Sequence, residues 1–135
     1  MKGIADTGLL VAFGNRRDIH HDWALEVAQR VNEPLLTCEA VLAEAAFHLG
    51  SIGLVLAFIE EKLVRLAFQM SDHIPRLKEL ATRYADRSPD LADLCLIRMS
   101  ELYPKYPVIT TDVGDFRVYR RGRRDVIPLI HPKIR

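Results

Sequence analysis

A parallel α/β sandwich is the fold this sequence predicts, and three observations predict it. Short apolar, strand-like runs alternate with helical ones along the chain, the pattern of βαβ units. Acidic residues stand where several strand-like runs end, and open parallel sheets build their sites at that edge. The chain has 135 residues, 49% of them hydrophobic, enough to bury one core without disulfide or metal staples. A single domain spanning residues 1–135 is expected, with no internal repeat, low-complexity tract or interdomain linker.

In chain order, Gly3-Ile4-Ala5 is a tiny buried strand that delivers Asp6 and Thr7 at its end, and Leu9 to Phe13 continues as an apolar helical turn. Asp18 to Val31 has helical spacing through Ile19, Trp23, Val27 and Val31, closed by Asn32-Glu33-Pro34. Leu35-Leu36-Thr37 is a second strand. Cys38 to Leu49 is a helix stopped by Gly50, and Ile52 to Lys62 is another packed against it. Leu63 to Phe68 reads equally as a strand or a helix end. Ser71 to Tyr84 forms the next helix, with Ile74, Leu77, Leu80, Ala81 and Tyr84 facing inward.

Ser88 to Phe116 organises the rest. Ser88 is a good N-cap and Pro89 a good first helical residue, because the hydroxyl accepts an orphan N–H and proline has none to lose. On the helix they start, Asp93 is surrounded by Leu91, Leu94, Cys95, Leu96, Ile97, Met99 and Leu102, and only Arg98 and Glu101 read as solvated. After a turn at Tyr103 to Pro107, Val108-Ile109-Thr110 is a buried strand with Thr111 and Asp112 at its carboxyl end. A strand at Arg117 to Tyr119 and an extended run from Val126 to Ile130 complete the chain.

Composition narrows the function. The longest apolar run, Ile52 to Ile59, falls far short of the roughly 20 residues a membrane helix needs, and the N-terminus opens into a strand rather than an export signal, so a cytoplasmic protein is expected. Cys38 and Cys95 sit in apolar segments and read as buried free thiols. A net charge of +1 makes the whole molecule no polycation, so attraction to nucleic acid needs a local patch.

Asp6, Glu44, Asp93 and Asp112 share one property: each lies at a strand end or on a helix face expected to be at least half buried. Glu44 has Ala40, Val41, Phe47 and His48 three and four positions away, company a surface glutamate rarely keeps. Singly, each has an ordinary reading as a cap, an ion-pair partner or a turn residue. Brought together they would repel one another, and no lysine or arginine neighbours the inner three in sequence. A divalent cation is the simplest remedy, and magnesium or manganese suits carboxylate oxygens at an open sheet edge.

Ile4-Ala5-Asp6-Thr7-Gly8-Leu9-Leu10-Val11-Ala12-Phe13, the helix carrying Glu44, Leu91-Ala92-Asp93 and Thr110-Thr111-Asp112-Val113-Gly114-Asp115-Phe116 together resemble the PIN-domain ribonucleases, most closely the VapC toxins of toxin–antitoxin pairs. The likeness runs from the first strand to about Leu129. It implies a three-layer α/β/α sandwich with a central parallel sheet, an acidic pocket holding one or two Mg2+ or Mn2+ ions, metal-dependent cleavage of RNA, frequent homodimers, and inhibition by a small antitoxin protein. Residue by residue, the family's acids fall on Asp6, Glu44, Asp93 and Asp112. Thr7 and Thr111 match the small hydroxyl residues beside two of them, and Asp115 matches a further acid that many members have. Asp90 recurs in a related subgroup, although an acid favoured by the helix N-terminus is its simpler role. Leu94-Cys95-Leu96 and Tyr103 to Pro107 are bulkier than the family pattern and bear on substrate shape.

Metal chemistry then assigns roles. Asp6 and Asp93 are expected as direct ligands, Asp112 as a ligand direct or through water, Glu44 as the group orienting or deprotonating an attacking water, and Thr111 as a support for a carboxylate or phosphate. Arg117, Arg120, Arg121, Arg123 and Arg124, with Tyr119 among them, form a basic stretch that either contacts the RNA backbone or is simply solvated. His20, His21 and His73 read as exposed residues near helix starts, and His48 as a packing residue on Glu44's face. A phosphatase of the haloacid dehalogenase type would place a second acid where Gly8 stands. A catalytically inactive module binding RNA or protein through the same fold is the remaining alternative.

Overall fold

The computed structural model describes residues 1–133. Five parallel strands form the central sheet: β1 (Ile4–Ala5), β2 (Leu35–Thr37), β3 (Val64–Leu66), β4 (Val108–Ile109) and β7 (Leu129–Ile130). Their order is β3-β2-β1-β4-β7. With helices on both faces, this is the predicted α/β/α sandwich. The strands are short and apolar because both faces are covered, and Ile4, Ala5, Leu35, Val108 and Ile109 are fully buried.

The order contains a reversal that creates the site. From β1 the chain moves outward to β2 and β3 on one side, then crosses back to lay β4 on the other side of β1. The carboxyl ends of β1 and β4 therefore flank the crevice at a topological switch point. Register completes the arrangement: Ile4 pairs with Val108 and Ala5 with Ile109, so Asp6 and Thr110, one residue further on each strand, emerge side by side.

The helices are α1 (Thr7–Gly14), α2 (His21–Arg30), α3 (Glu39–Leu49), α4 (Ile52–Glu60), α5 (Ile74–Arg83), α6 (Leu91–Leu102) and α7 (Val113–Val118). Helix α1 packs on α2 and α3, and α6 on α3 and α5. Gly50 ends α3 in the left-handed conformation at φ 65°, which glycine adopts without a Cβ clash. Cys38 and Cys95 are free and buried. Among the described residues no helix is long and apolar enough to cross a membrane.

Several local expectations are corrected. Helix α6 starts after Asp90, not Ser88: the Asp90 carboxylate accepts the Asp93 N–H at 2.8 Å, while Ser88 closes a 3₁₀ turn with a left-handed φ of 47°. Two capping residues compete here, and the later one wins. Leu63 to Phe68 resolves as a strand at Val64–Leu66. Arg117 to Tyr119 is the last turn and C-cap of α7 rather than a strand, because Asp112 caps Asp115 N and starts a helix. Strand pairing begins only at β5 (Arg120–Arg121), which meets β6 (Asp125–Val126) in a separate antiparallel ribbon. The run Val126 to Ile130 is thus divided between that ribbon and β7.

On α5, Leu77 and Leu80 are buried as expected, but Ile74 and Ala81 are exposed. Glu101 is not solvated: its side chain keeps only 9% exposure and is clasped by Arg76, Arg98 and the Gly122 N–H.

Candidate active site

Asp6, Thr7, Glu44, Asp93, Thr111, Asp112 and Asp115, with Asp90, Asp18 and His48, line one cleft of about 470 Å³ at the carboxyl edge of the sheet. Acids more than a hundred positions apart in sequence do line the same cleft. Asp6 forms the floor and is only 6% exposed. Glu44 and Asp93 are half-buried on the walls. Asp112 lies at the rim and is exposed, contrary to the burial its strand-end position suggests, because the chain has already left the sheet there.

Local structure explains how the chain tolerates this gathering. Three of the acids are helix N-caps. Asp6 Oδ1 accepts Thr7 N–H at 2.6 Å, Asp90 accepts Asp93 N–H, and Asp112 Oδ1 accepts Asp115 N–H at 3.3 Å. The ordinary capping role and membership of the cluster therefore coincide. Each cap sets a carboxylate against first-turn amides, whose partial positive charge offsets some of the repulsion. Thr7 donates its hydroxyl to Glu44 Oε2 at 3.0 Å, tying α1 to α3. Gly8 is required beside it: a Cβ at that position would lie 2.0 Å from Thr111 Oγ1. The residue that spoke against a phosphatase is the one that lets β4's exit approach α1.

Two residues that sequence reasoning passed over hold the acids. Thr110, fully buried, donates its hydroxyl to Asp6 Oδ2 at 2.6 Å and accepts Asp112 N–H at 2.8 Å. Thr111, the expected hydroxyl, lines the cleft instead. The β1–β4 register would have pointed to Thr110 had the pairing been known. Tyr119 is also fully buried, and its hydroxyl donates to Asp93 Oδ2 at 3.1 Å. Its place among arginines left it in a stretch read as either an RNA contact or a solvated loop; the α7 helical turn directs it into the core.

The electrostatics follow burial. Asp6 is pushed up to about 6 by desolvation, with the Thr110 and Thr7 hydrogen bonds pulling back and Asp112 and Asp90 adding repulsion. Glu44 rises to about 7 through burial and its contact with Asp90, against the Thr7 hydrogen bond. Asp93 rises to about 7 through burial and then the charges of Asp90 and Asp6. Burial and Asp115 raise Asp112 as well. Among the described residues none of these four acids is in a salt bridge; the nearest ion pair is at the rim, Arg87 to Asp115 at 2.8 Å.

The basic stretch is divided. The Arg120 guanidinium folds onto the carbonyls of Arg117, Val118 and Tyr119, and Arg121 donates to Pro104 O at 2.6 Å. Neither lines the acid cleft. Arg117, Arg123 and Arg124 are exposed. His48 is exposed at the cleft, whereas His21 bonds Ala12 O and His73 stacks on Phe68, so both are half-buried rather than free.

The donor set is carboxylate and hydroxyl oxygen without thiol, which fits a hard divalent ion such as Mg2+ or Mn2+. Acids held above their ordinary range by burial, and further by one another's charge, fit the same conclusion, since a cation would let them ionise. Among the described residues no three His, Cys, Asp or Glu side chains already form a closed ligand group. The acids line walls around an open space, a geometry suited to an ion that keeps part of its water shell.

A parallel sandwich with carboxylates converging at its switch point defines a class of α/β proteins built around an acidic cleft. Within it the family is plain: the PIN domain profile matches residues 4–121, and the chain belongs to the PIN domain family. Membership carries the family's general activity, that of nucleases acting on RNA, which usually use a divalent metal. No curated protein matches the chain.

Proposed function

We propose that the protein is a Mg2+- or Mn2+-dependent endoribonuclease that cleaves RNA phosphodiester bonds by attack of water. The convergence of Asp6, Glu44, Asp93 and Asp112 on one cleft is the observation that carries this reading. Asp6 and Asp93 would hold the ion, with Asp112 as a further ligand direct or through water. The bound ion supplies charge neutralisation on the phosphate and lowers the cost of ionising water.

The chain's own residues do the rest. Glu44, held by Thr7 at the cleft wall, is placed to take the proton of the attacking water once it is ionised. Thr110 fixes Asp6, and Thr111 faces the cleft, where it steadies a carboxylate or a phosphate oxygen. Asp115 and the exposed Arg117 on α7 stand at the substrate side, with Arg120 and Arg121 on the β5 strand that follows.

The biological role we assign is that of the toxin in a toxin–antitoxin pair, working in the cytoplasm as a homodimer restrained by a small antitoxin protein. The sequence resemblance to VapC toxins supports this, and an apolar face on α3 and α4, where Phe47 is 82% and Ile52 71% exposed, leaves surface for a partner.

Incubation of purified protein with single-stranded RNA tests the activity. Cleavage is expected with Mg2+ or Mn2+, and chelation should stop it. Asp6→Asn and Asp93→Asn should each abolish cleavage while the circular dichroism spectrum stays unchanged. Wild-type rates in either variant would overturn the assignment, and binding of RNA without any cleavage would favour an inactive binding module.

A further inference from the structure

We propose that Tyr119 is a positioning residue for Asp93, a buried strut that holds one carboxylate oxygen so that the other faces the cleft. The proposal rests on the reading that Asp93 holds a cation. Tyr119 is fully buried, and a buried hydroxyl is costly unless bonded, so phenylalanine would be the cheaper residue for packing alone. Its hydroxyl takes Asp93 Oδ2 at 3.1 Å. Among the described residues no other group donates to the Asp93 carboxylate.

The ring is fixed on two sides. Phe116 and Tyr84 meet it edge-on, with centroids 5.3 and 5.0 Å away. Tyr84 is itself anchored where its hydroxyl accepts Arg120 N–H at 2.8 Å. Tyr119 is also the C-cap of α7, its N–H bonded to Asp115 O at 3.1 Å. One short helix therefore carries Asp112 at its start and the Asp93 strut at its end. Helix α7 thus meets two cleft acids, Asp112 as its own N-cap and Asp93 of α6 through the Tyr119 hydroxyl. Hydrogen-bond partners of metal-holding side chains orient those side chains, and their loss commonly costs about 10- to 100-fold in metal affinity.

The test is calorimetric titration of Mn2+ into the full, metal-free chain as wild type, Tyr119→Phe and Tyr84→Phe. Tyr84→Phe loses a buried hydrogen bond of its own and controls for general loosening. The expected result is Mn2+ binding about tenfold or more weaker in Tyr119→Phe, with Tyr84→Phe close to wild type. RNA cleavage should show a lowered kcat in Tyr119→Phe at an unchanged KM. Equal Mn2+ affinity in Tyr119→Phe and wild type, or an equal loss in both variants, would overturn the strut while leaving the nuclease reading intact. Failure of the wild type to bind Mn2+ would overturn the cation reading and the strut with it.

Discussion

Thr110 and Asp6 are 104 residues apart in sequence and joined by a hydrogen bond of 2.6 Å. The same Thr110 oxygen accepts Asp112 N–H, so one hydroxyl links the floor of the cleft to its rim. Thr110→Val keeps the shape and removes both bonds, stranding a buried carboxylate and an amide. Chemical denaturation at pH 7 should show a loss of about 2 kcal/mol, and Thr110→Ser should recover most of it.

Stability should depend on pH with a sign opposite to that of ordinary paired acids. Asp6, Glu44 and Asp93 stand at about 6, 7 and 7 in the folded state, above their ordinary values of 3.8, 4.5 and 3.8. The unfolded chain therefore releases these protons first. Their contribution is fully favourable below about pH 4 and is lost as pH rises to about 7. The melting temperature of metal-free protein should fall between pH 5 and pH 8, and Mn2+ should reverse the fall at pH 8.

Glu101 provides the contrast. Arg76, Arg98 and Gly122 N–H hold it below its ordinary range despite its burial, so its stabilisation is lost as pH falls through the folded value. Glu101→Gln should destabilise by about 2 kcal/mol, because half-buried arginines lose their counter-charge. Asp93→Asn, which removes a repelled charge, should leave the metal-free fold as stable or more so. Urea denaturation of the two variants side by side measures the difference between an acid kept for structure and one kept for the cleft.

The arginines should separate by exposure. Arg117 is free to reach a phosphate, and Arg117→Ala should reduce the salt slope of RNA binding by roughly 0.7. Arg120, whose guanidinium is committed to three backbone carbonyls, should change the slope little when replaced by alanine. Binding titrations across ionic strength with the Asp93→Asn background, to prevent cleavage, give both values.

The layers of the fold and the four acids were legible because they depend on local pattern: apolar runs bounded by turns, and charge set into apolar surroundings. Thr110 and Tyr119 were not, because their roles depend on the β1–β4 register and on how α7 turns, both of which are tertiary. The start of α6 was misplaced because Ser88 and Asp90 are both competent caps, and only the packed structure decides between them. For Arg120 the sequence left an RNA contact and a solvated loop both open, because composition reports charge without showing the carbonyls its guanidinium already bonds. Glu101 read as solvated for the same reason: its partners Arg76 and Gly122 lie far away in the chain.

Calorimetric titration of Mn2+ into wild type and Asp6→Asn at pH 7.5 tests the central claim most directly. The acid cleft predicts saturable binding to the wild type and its loss in Asp6→Asn. Undiminished binding in the variant, or none in the wild type, would contradict it.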